Sequence, residues 1–267
     1  MSDTDNKNIS PEEKYAPAIS QAVARYERLK SKAPPPTPLN LEEACEQGDL
    51  DAVRKLHAEG ADITVDDNYA VRVAAEKGHL DVVRYLHEHG ADLTARDHEA
   101  LRLAARNGHL EMVRYLHEHG ADITARDNTA VYVAAQNGHL DVVKYLHEHG
   151  ADITEEYNTA GDNYVLHVAA ANGHLDVVRY LHEHGVDITA RDNYVVKLTA
   201  NNGYLDIVKY LHEHGADLTI NNNEILKRSA LEAVSRNHSY YELVSYLIDA
   251  GAPIEILPAT QQDSINA

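Results

Sequence analysis

The sequence predicts an all-α solenoid of about seven helix-pair units joined by short loops. Three observations predict this fold: a 15-residue block that recurs along the chain, apolar residues at helical spacing inside that block, and an unusual aromatic composition. The 267 residues include 16 Tyr but neither Phe nor Trp. Because a large round core normally contains Phe, a core of Ala, Val, Leu and Tyr favours many thin layers, each packed against its neighbours.

The recurring block gives the period and the extent of the array. A degenerate copy, GDLDAVRKLHAEGAD, starts at Gly48, and the last copy, YYELVSYLIDAGAP, closes the series at Gly251. Self-similarity at a fixed period is typical of repeat architectures, and here it covers residues 38–257. The near-identical copies of GHLDVVRYLHEHGAD follow one another in steps of 30, 30, 35 and 30 residues and start at Gly78, Gly108, Gly138, Gly173 and Gly203.

Each unit is predicted to hold two short helices. In the second unit the first helix spans residues 69–77, and Gly78 marks its end. The second helix then carries Leu80, Val83 and Leu86 at helical spacing. Neither helix is long enough to be stable alone, so neighbouring units must bury each other's apolar faces.

The segment AAEKGHLDVVRYLHEHGADLTARD and its copies resemble the ankyrin repeat over about four-fifths of the chain. The resemblance implies an L-shaped helix pair per repeat and a curved solenoid with a concave binding face. It also implies a non-catalytic scaffold for protein–protein interaction. The repeats here have 30 residues where the ankyrin repeat usually has 33, and the missing residues fall in the loop that usually forms a projecting hairpin. This short form resembles arrays abundant in giant DNA viruses, which implies a viral or effector protein directed at a host partner.

One loop is longer than the others. Five extra residues lie within EEYNTAGD, residues 155–162, with Tyr157 near the tip. A tolerated insertion at an exposed loop is one interpretation. The alternative is that Tyr157 contacts a partner.

The two ends of the chain differ from the repeats. Polar variants of the unit at 38–62 and 224–257 are predicted to cap the array, and 258–267 to form a flexible tail. Residues 1–9 are predicted to be disordered, and an amphipathic helix at 10–32 precedes a Pro-rich linker at 33–37. This helix either docks on the first repeat or serves as a ligand for a groove of another protein.

The charge of the chain excludes several classes of partner. With 43 acidic and 24 basic residues, the formal charge is −19, which disfavours nucleic acids and anionic membranes. We expect no transmembrane segment, because no apolar run is long enough, and no signal peptide, because the N-terminal residues are polar. A single cysteine, Cys45, cannot form an intramolecular disulfide, so we expect a cytoplasmic protein, in the host cytosol if it is viral.

The sequence shows no catalytic motif, and we expect no enzymatic activity, no cofactor and no metal site. The histidines of one unit, for example His79, His87 and His89, are the only candidate metal ligands in a pattern. Positions i and i+2 of a helix do not converge, and equivalent histidines of stacked units lie about 10 Å apart. A position at the helix C-terminus, where a cation is favourable, explains His87 and His89 better.

Specificity must lie where the copies differ, since the second helices are nearly identical. The first helices vary at their starts and ends in Tyr, basic and amide residues, which suit interface anchors for an acidic or mixed-charge protein partner. The alternative is that these residues are solvated helix ends or contacts between repeats. We expect a monomer rather than a homo-oligomer, although self-assembly through the N-terminal helix or the outer face is the competing function. The predicted partner-binding residues are Tyr69, Arg72, Glu99, Arg102, Arg106, Tyr132, Gln136, Tyr157, Tyr164, His167, Tyr194 and Lys197.

Overall fold

The computed structural model describes residues 40–154, 163–219, 225, 227–229 and 238–251. The array lies within the compact unit formed by residues 41–267. The predicted N-terminal helix and linker, the long loop with Tyr157, and the C-terminal tail lie outside the described residues.

Every element of the described residues is a helix, which confirms the predicted all-α repeat fold. Two helices alternate along the array, and we call them the first and the second helix of each repeat. The first helices are α1 (Leu41–Gln47), α3 (Val65–Lys77), α5 (Ala95–Arg106), α7 (Ala125–Gln136), α9 (Tyr164–Ala171) and α11 (Ala190–Asn201). The second helices are α2 (Leu50–Ala58), α4 (Leu80–Glu88), α6 (Leu110–Glu118), α8 (Leu140–Glu148), α10 (Leu175–Glu183), α12 (Leu205–Glu213) and α13 (His238–Asp249).

A glycine ends each first helix and allows the second helix to approach. Gly78 has a φ of 80°, in the left-handed region, and the following N–H of His79 donates to the Ala74 carbonyl at 2.9 Å. The absence of a side chain at Gly78 also makes room for the next repeat, because a Cβ there would lie 2.8 Å from the ring of His109. Gly78 therefore serves both the turn and the stacking of repeats.

The core consists of thin layers, as the composition predicts. The first helices contribute small residues such as Ala74 and Ala75, which are fully buried and let neighbouring first helices pack closely. The second helices contribute larger residues such as Val83 and Leu86, also fully buried. Each layer is covered only by the layers beside it, which is the arrangement of a solenoid.

Left-handed turns form the short loops between repeats. In α3, Asp66, Asp67 and Asn68 have φ values of 51°, 55° and 60°, so the right-handed helix starts only after them. Asn68 accepts a hydrogen bond through its side-chain oxygen from the backbone N–H of Asp92, in the loop that follows α4, at 2.8 Å. Asn and Asp tolerate this conformation better than most residues, and this bond offsets part of its cost.

Candidate functional site

The structure places the variable positions of the first helices on one surface, which we call the first-helix face. It is formed by side chains at the starts and ends of α3, α5, α7, α9 and α11. The variable residue at the start of one first helix contacts a residue of the next first helix that lies three positions before the equivalent variable residue. The recorded contacts of this kind are Arg72 with Glu99, Tyr132 with Tyr164, and His167 with Tyr194.

Arg72 is held between two repeats. Its side chain is buried, with 6% exposed, and its Nε lies 3.0 Å from Oε2 of Glu99. Its Nη1 donates to the carbonyl of Asp66 at 2.9 Å, and its guanidinium carbon lies 5.3 Å from the centre of the Tyr69 ring. These contacts favour the alternative interpretation of Arg72 and Glu99, in which they join neighbouring repeats.

Tyr69 is also engaged within the array. A hydrogen bond between its hydroxyl and Glu42 of the preceding repeat raises the pKa of Tyr69. The predicted site residues at the N-terminal end of the array, Tyr69 and Arg72, thus contact other repeats. The surface available to a partner starts further along the array.

Arg102 occupies the position of Arg72 in the next repeat but lacks an acidic counterpart. The residue in the register of Glu99 is Thr129. Among the described residues, Nε of Arg102 is buried and has no hydrogen-bond partner. Burial, and then the nearby charge of Arg126, lowers the pKa of the Arg102 guanidinium. The charges of Glu99 and Asp97 oppose this lowering.

Arg102 lines a surface pocket of 490 Å³ between α5, α7 and α9. Arg106 lies beside it, and within the described residues neither arginine forms a salt bridge, whereas Glu99 is neutralised by Arg72 and by Arg96 at 3.7 Å. The pocket is therefore positively charged. Its lining residues are Glu99, Arg102, Leu103, Arg106, Val133, Gln136, Asn137 and Asn172.

The pocket contains four of the predicted site residues and apolar residues that the sequence analysis did not select. Leu103 and Val133 line the pocket, but at helical spacing they are indistinguishable from core positions. Both are only partly buried, unlike Ala104 and Ala134 beside them. Their place directly after the variable positions 102 and 132 is the signal that could have identified them.

An aromatic row continues along the first-helix face from this pocket. The rings of Tyr132 and Tyr164 stack with centres 4.6 Å apart and an angle of 2°, and the Tyr132 hydroxyl donates to that of Tyr164 at 3.3 Å. Burial and this hydrogen bond raise the pKa of Tyr132 to about 12. His167 and Tyr194 form the next contact, with ring centres 4.6 Å apart. Tyr164 and Tyr194 remain 38% and 41% exposed.

A second pocket lies at the far end of this row. It has a volume of 240 Å³, and its cations are Lys197 and Arg228. Tyr194 and Lys197 are predicted site residues. Arg228 is not, because it lies in the atypical last unit, where the repeat pattern gives no register. The pocket is lined by Tyr194, Lys197, Leu198, Asn201, Ile225 and Arg228.

The second helices use their identical residues to stack the repeats. Nδ1 of His87 forms a 2.9 Å hydrogen bond with the Tyr115 hydroxyl of the next repeat, and Arg84 lies over the same ring at 5.1 Å. His89 donates from Nδ1 to the Tyr85 carbonyl at 2.7 Å, at the end of its helix. This pattern recurs along the array, which explains why these residues hardly vary.

In neighbouring repeats, histidines at different positions of the unit lie closer together than the roughly 10 Å expected for histidines at the same position. The rings of His87 and His119 are centred 5.1 Å apart, edge to face. In the equivalent pair His147 and His184, burial, and then the charge of His184, lowers the pKa of His147. Among the described residues, no group of three or more His, Cys, Asp or Glu side chains is placed to hold a metal ion.

Two further observations concern reactivity and membranes. Cys45 is fully buried in α1, and burial raises the pKa of its thiol to about 12, so the thiolate is scarcely populated at neutral pH. In the part of the chain that the structure describes, no helix combines the length and the apolar character needed to cross a membrane.

Comparison with known families identifies the repeat. Residues 41–127 and 125–192 match the family described as ankyrin repeats in three copies, and residues 198–223 match the single ankyrin repeat. A search of curated proteins finds no match. Ankyrin repeats indicate a scaffold for protein–protein interaction and are generally non-enzymatic. The matched residues make up more than half of the chain, which therefore belongs to the ankyrin-repeat family.

Proposed function

We propose that this protein binds a protein partner on the first-helix face and holds an acidic side chain of that partner in the pocket of Arg102 and Arg106. The ankyrin fold implies that these positions face the concave groove or its rim, which supports this choice of surface. One observation carries the proposal: in a pocket of 490 Å³, Arg102 and Arg106 lie side by side, and neither forms a salt bridge within the described residues.

A carboxylate group complements the charge and the hydrogen-bond donors of this pocket. A carboxylate accepts two hydrogen bonds from a guanidinium in a planar, bidentate arrangement. Arg106 adds a second cation beside Arg102, and the amides of Gln136 and Asn137 offer further hydrogen bonds. Apolar contact with Leu103 and Val133 would help to exclude water from the pair.

The charge of the whole chain supports a protein partner over a nucleic acid. A polyanion would meet a formal charge of −19, whereas a single acidic side chain meets only the local charge of the pocket. The uniform second helices offer no variation from repeat to repeat, because their Tyr, His and basic residues are used in contacts between repeats. The variation along the first-helix face is therefore the best source of specificity.

A selection from random peptides tests this proposal. The intact chain would be immobilised and used to select 12-residue peptides displayed on bacteriophage, in parallel with Arg102→Gln and Arg106→Glu variants. We expect the selected peptides to be enriched in Asp and Glu, and we expect binding to fall at least tenfold for either variant. The matched control is Lys55→Glu, which reverses an exposed charge on a second helix.

Circular dichroism would confirm that each variant keeps the helical content of the parent chain. The proposal fails if the selected peptides lack acidic residues. It also fails if acidic peptides bind Arg102→Gln and Arg106→Glu as tightly as they bind the parent chain and Lys55→Glu.

A further inference from the structure

Two basic pockets lie on the same face, at separate places along the array. The first contains Arg102 and Arg106 of α5. The second contains Lys197 of α11 and Arg228 of the last unit. Each pocket combines two cations with apolar residues, Leu103 and Val133 in the first and Leu198 and Ile225 in the second. The similar chemistry suggests that both take the same kind of group.

The aromatic row connects the two pockets. Tyr132 directly precedes Val133 of the first pocket, and Tyr194 itself lines the second. Between them, the Tyr132–Tyr164 stack bridges α7 to α9, and the His167–Tyr194 contact bridges α9 to α11. A continuous surface of ring faces and edges therefore leads from one basic pocket to the other.

Acidic residues are absent from three stretches of sequence that carry this row. The stretches 129–136, 163–172 and 193–202 read TAVYVAAQ, NYVLHVAAAN and NYVVKLTANN and contain neither Asp nor Glu. This is unusual in a chain that carries 43 acidic residues. The row would thus accept a second acidic group without the repulsion that the rest of the surface imposes.

The spacing of the pockets gives the length of the segment that would join them. Three steps between neighbouring first helices separate α5 from α11, and at about 8–10 Å per step they span roughly 24–30 Å. An extended peptide rises about 3.3 Å per residue, so roughly eight residues cover this distance.

We propose that the partner contributes an extended segment with two acidic ends about eight residues apart and an apolar or aromatic centre. One acidic end binds Arg102 and Arg106, the centre packs on the aromatic row, and the other end binds Lys197 and Arg228. This inference rests on the proposed function, since it assigns a second anchor to the same partner. Linking two weak contacts in one segment raises the affinity when the spacing matches the two pockets.

Synthetic peptides of defined spacing test this proposal with the full chain. Fluorescein-labelled peptides would carry a Glu-Glu pair at each end, four, eight or twelve residues apart, in a Gly-Ser segment with a central Leu. A one-ended peptide would have the second pair replaced by Gln-Gln. Fluorescence anisotropy gives the dissociation constant of each. We expect the eight-residue spacing to bind at least tenfold more tightly than the one-ended peptide and than the four-residue spacing.

Variants of the second pocket separate this inference from the proposed function. Lys197→Glu, and independently Arg228→Gln, should reduce the affinity of the two-ended peptide to that of the one-ended peptide. If two-ended peptides bind no more tightly than the one-ended peptide at any spacing, or keep their advantage in both variants, the inference is overturned. The proposed function then still stands if one-ended binding is lost in Arg102→Gln.

A nucleic-acid ligand is the competing explanation of aromatic rings beside cations. A labelled oligonucleotide of twelve thymidines would be measured in the same assay. Binding tighter than that of the eight-residue peptide would overturn the assignment to an acidic protein segment.

Discussion

At the residue scale, His98 shows how one side chain supports an unfavourable backbone. It has a φ of 61° and ends the left-handed turn of α5. Its Nδ1 accepts the backbone N–H of Asp122 at 3.2 Å, which requires a ring without a proton on Nδ1. The equivalent residues Asn68, Asn128 and Asn193 accept through a side-chain oxygen at 2.8, 3.0 and 3.0 Å. Asparagine performs this task with a shorter bond and tolerates the left-handed region well.

We expect His98→Asn to stabilise the protein. The change should raise the free energy of unfolding by roughly 0.5–1 kcal/mol, because the bond to Asp122 shortens and the backbone strain decreases. Urea unfolding followed by circular dichroism would show this as a higher midpoint. The reverse change, Asn68→His, should lower the midpoint, and an equal midpoint for all three proteins would contradict the explanation.

The pair of Arg72 and Glu99 gives a second prediction for single residues. Removing one partner of a buried ion pair leaves the other uncompensated, so Arg72→Met should lower the free energy of unfolding by about 2–3 kcal/mol. Glu99→Gln should cost at least as much, because it leaves the more buried Arg72 without its carboxylate, whereas in Arg72→Met the remaining Glu99 keeps Arg96. The control Glu111→Gln breaks an exposed pair with Arg114 and should change the unfolding midpoint little. A similar loss for the exposed and the buried pair would contradict this account.

At the element scale, the repeat period predicts the order of the helices and the glycine that separates the two helices of a repeat. The left-handed turns could not be predicted, since the pattern gives only the length of the loop. Arginine seldom adopts a positive φ, so the sequence gives no indication that Arg96 and Arg126 lie in a left-handed turn. The different roles of Arg72 and Arg102 could not be predicted either. They depend on the residue of the next repeat in that register, which is Glu99 for Arg72 and Thr129 for Arg102.

We expect the glycines that follow first helices to tolerate an added side chain less well than the glycines that follow second helices. Gly108 has a φ of 75°, and a Cβ there would lie 2.5 Å from Nδ1 of His139. That ring donates from Nε2 to the Arg106 carbonyl at 3.0 Å, so Gly108→Ala would disturb the hydrogen bond as well as the turn. We expect a loss of about 2–4 kcal/mol.

Gly120→Ala is the matched control for this prediction. Gly120 also has a positive φ, 97°, but its Cβ would meet nothing within 4 Å. We expect a loss of about 1–2 kcal/mol from backbone strain alone. If both variants lose the same stability in urea unfolding, contact with the His139 ring has no part in the role of Gly108.

At the scale of the whole molecule, the array repeats the same contacts from one unit to the next, and its stability is the sum of many similar interfaces. The same Thr-to-Asp hydrogen bonds occur at each loop between repeats. The Thr backbone N–H and hydroxyl both donate to one carboxyl oxygen, and in five of the described loops this holds the pKa of the carboxyl below its ordinary value. The residues concerned are Asp62, Asp92, Asp122, Asp187 and Asp217.

These carboxyls give the stability of the array a defined pH dependence. Because their pKa values are lower in the folded than in the unfolded chain, their contribution is present above the unfolded value of about 3.9. It is lost as the pH falls through the folded values. We expect the urea midpoint to fall steeply below about pH 4. Replacing Thr94, Thr124 and Thr219 by Val removes the hydroxyl donors and should make this fall shallower, and an unchanged slope would contradict the explanation.

The spacing between the two basic pockets follows from the number of repeats that separate them. Each stacking contact joins only adjacent units, as between His87 and Tyr115, so one more unit of the same sequence could be inserted without loss of an interface. Recombination between the nearly identical stretches of the gene would add or remove such units in a single event. In the proposed binding mode, a change in the number of units encoded by the gene would alter the length of partner segment that fits between the two pockets, with no new side chain required.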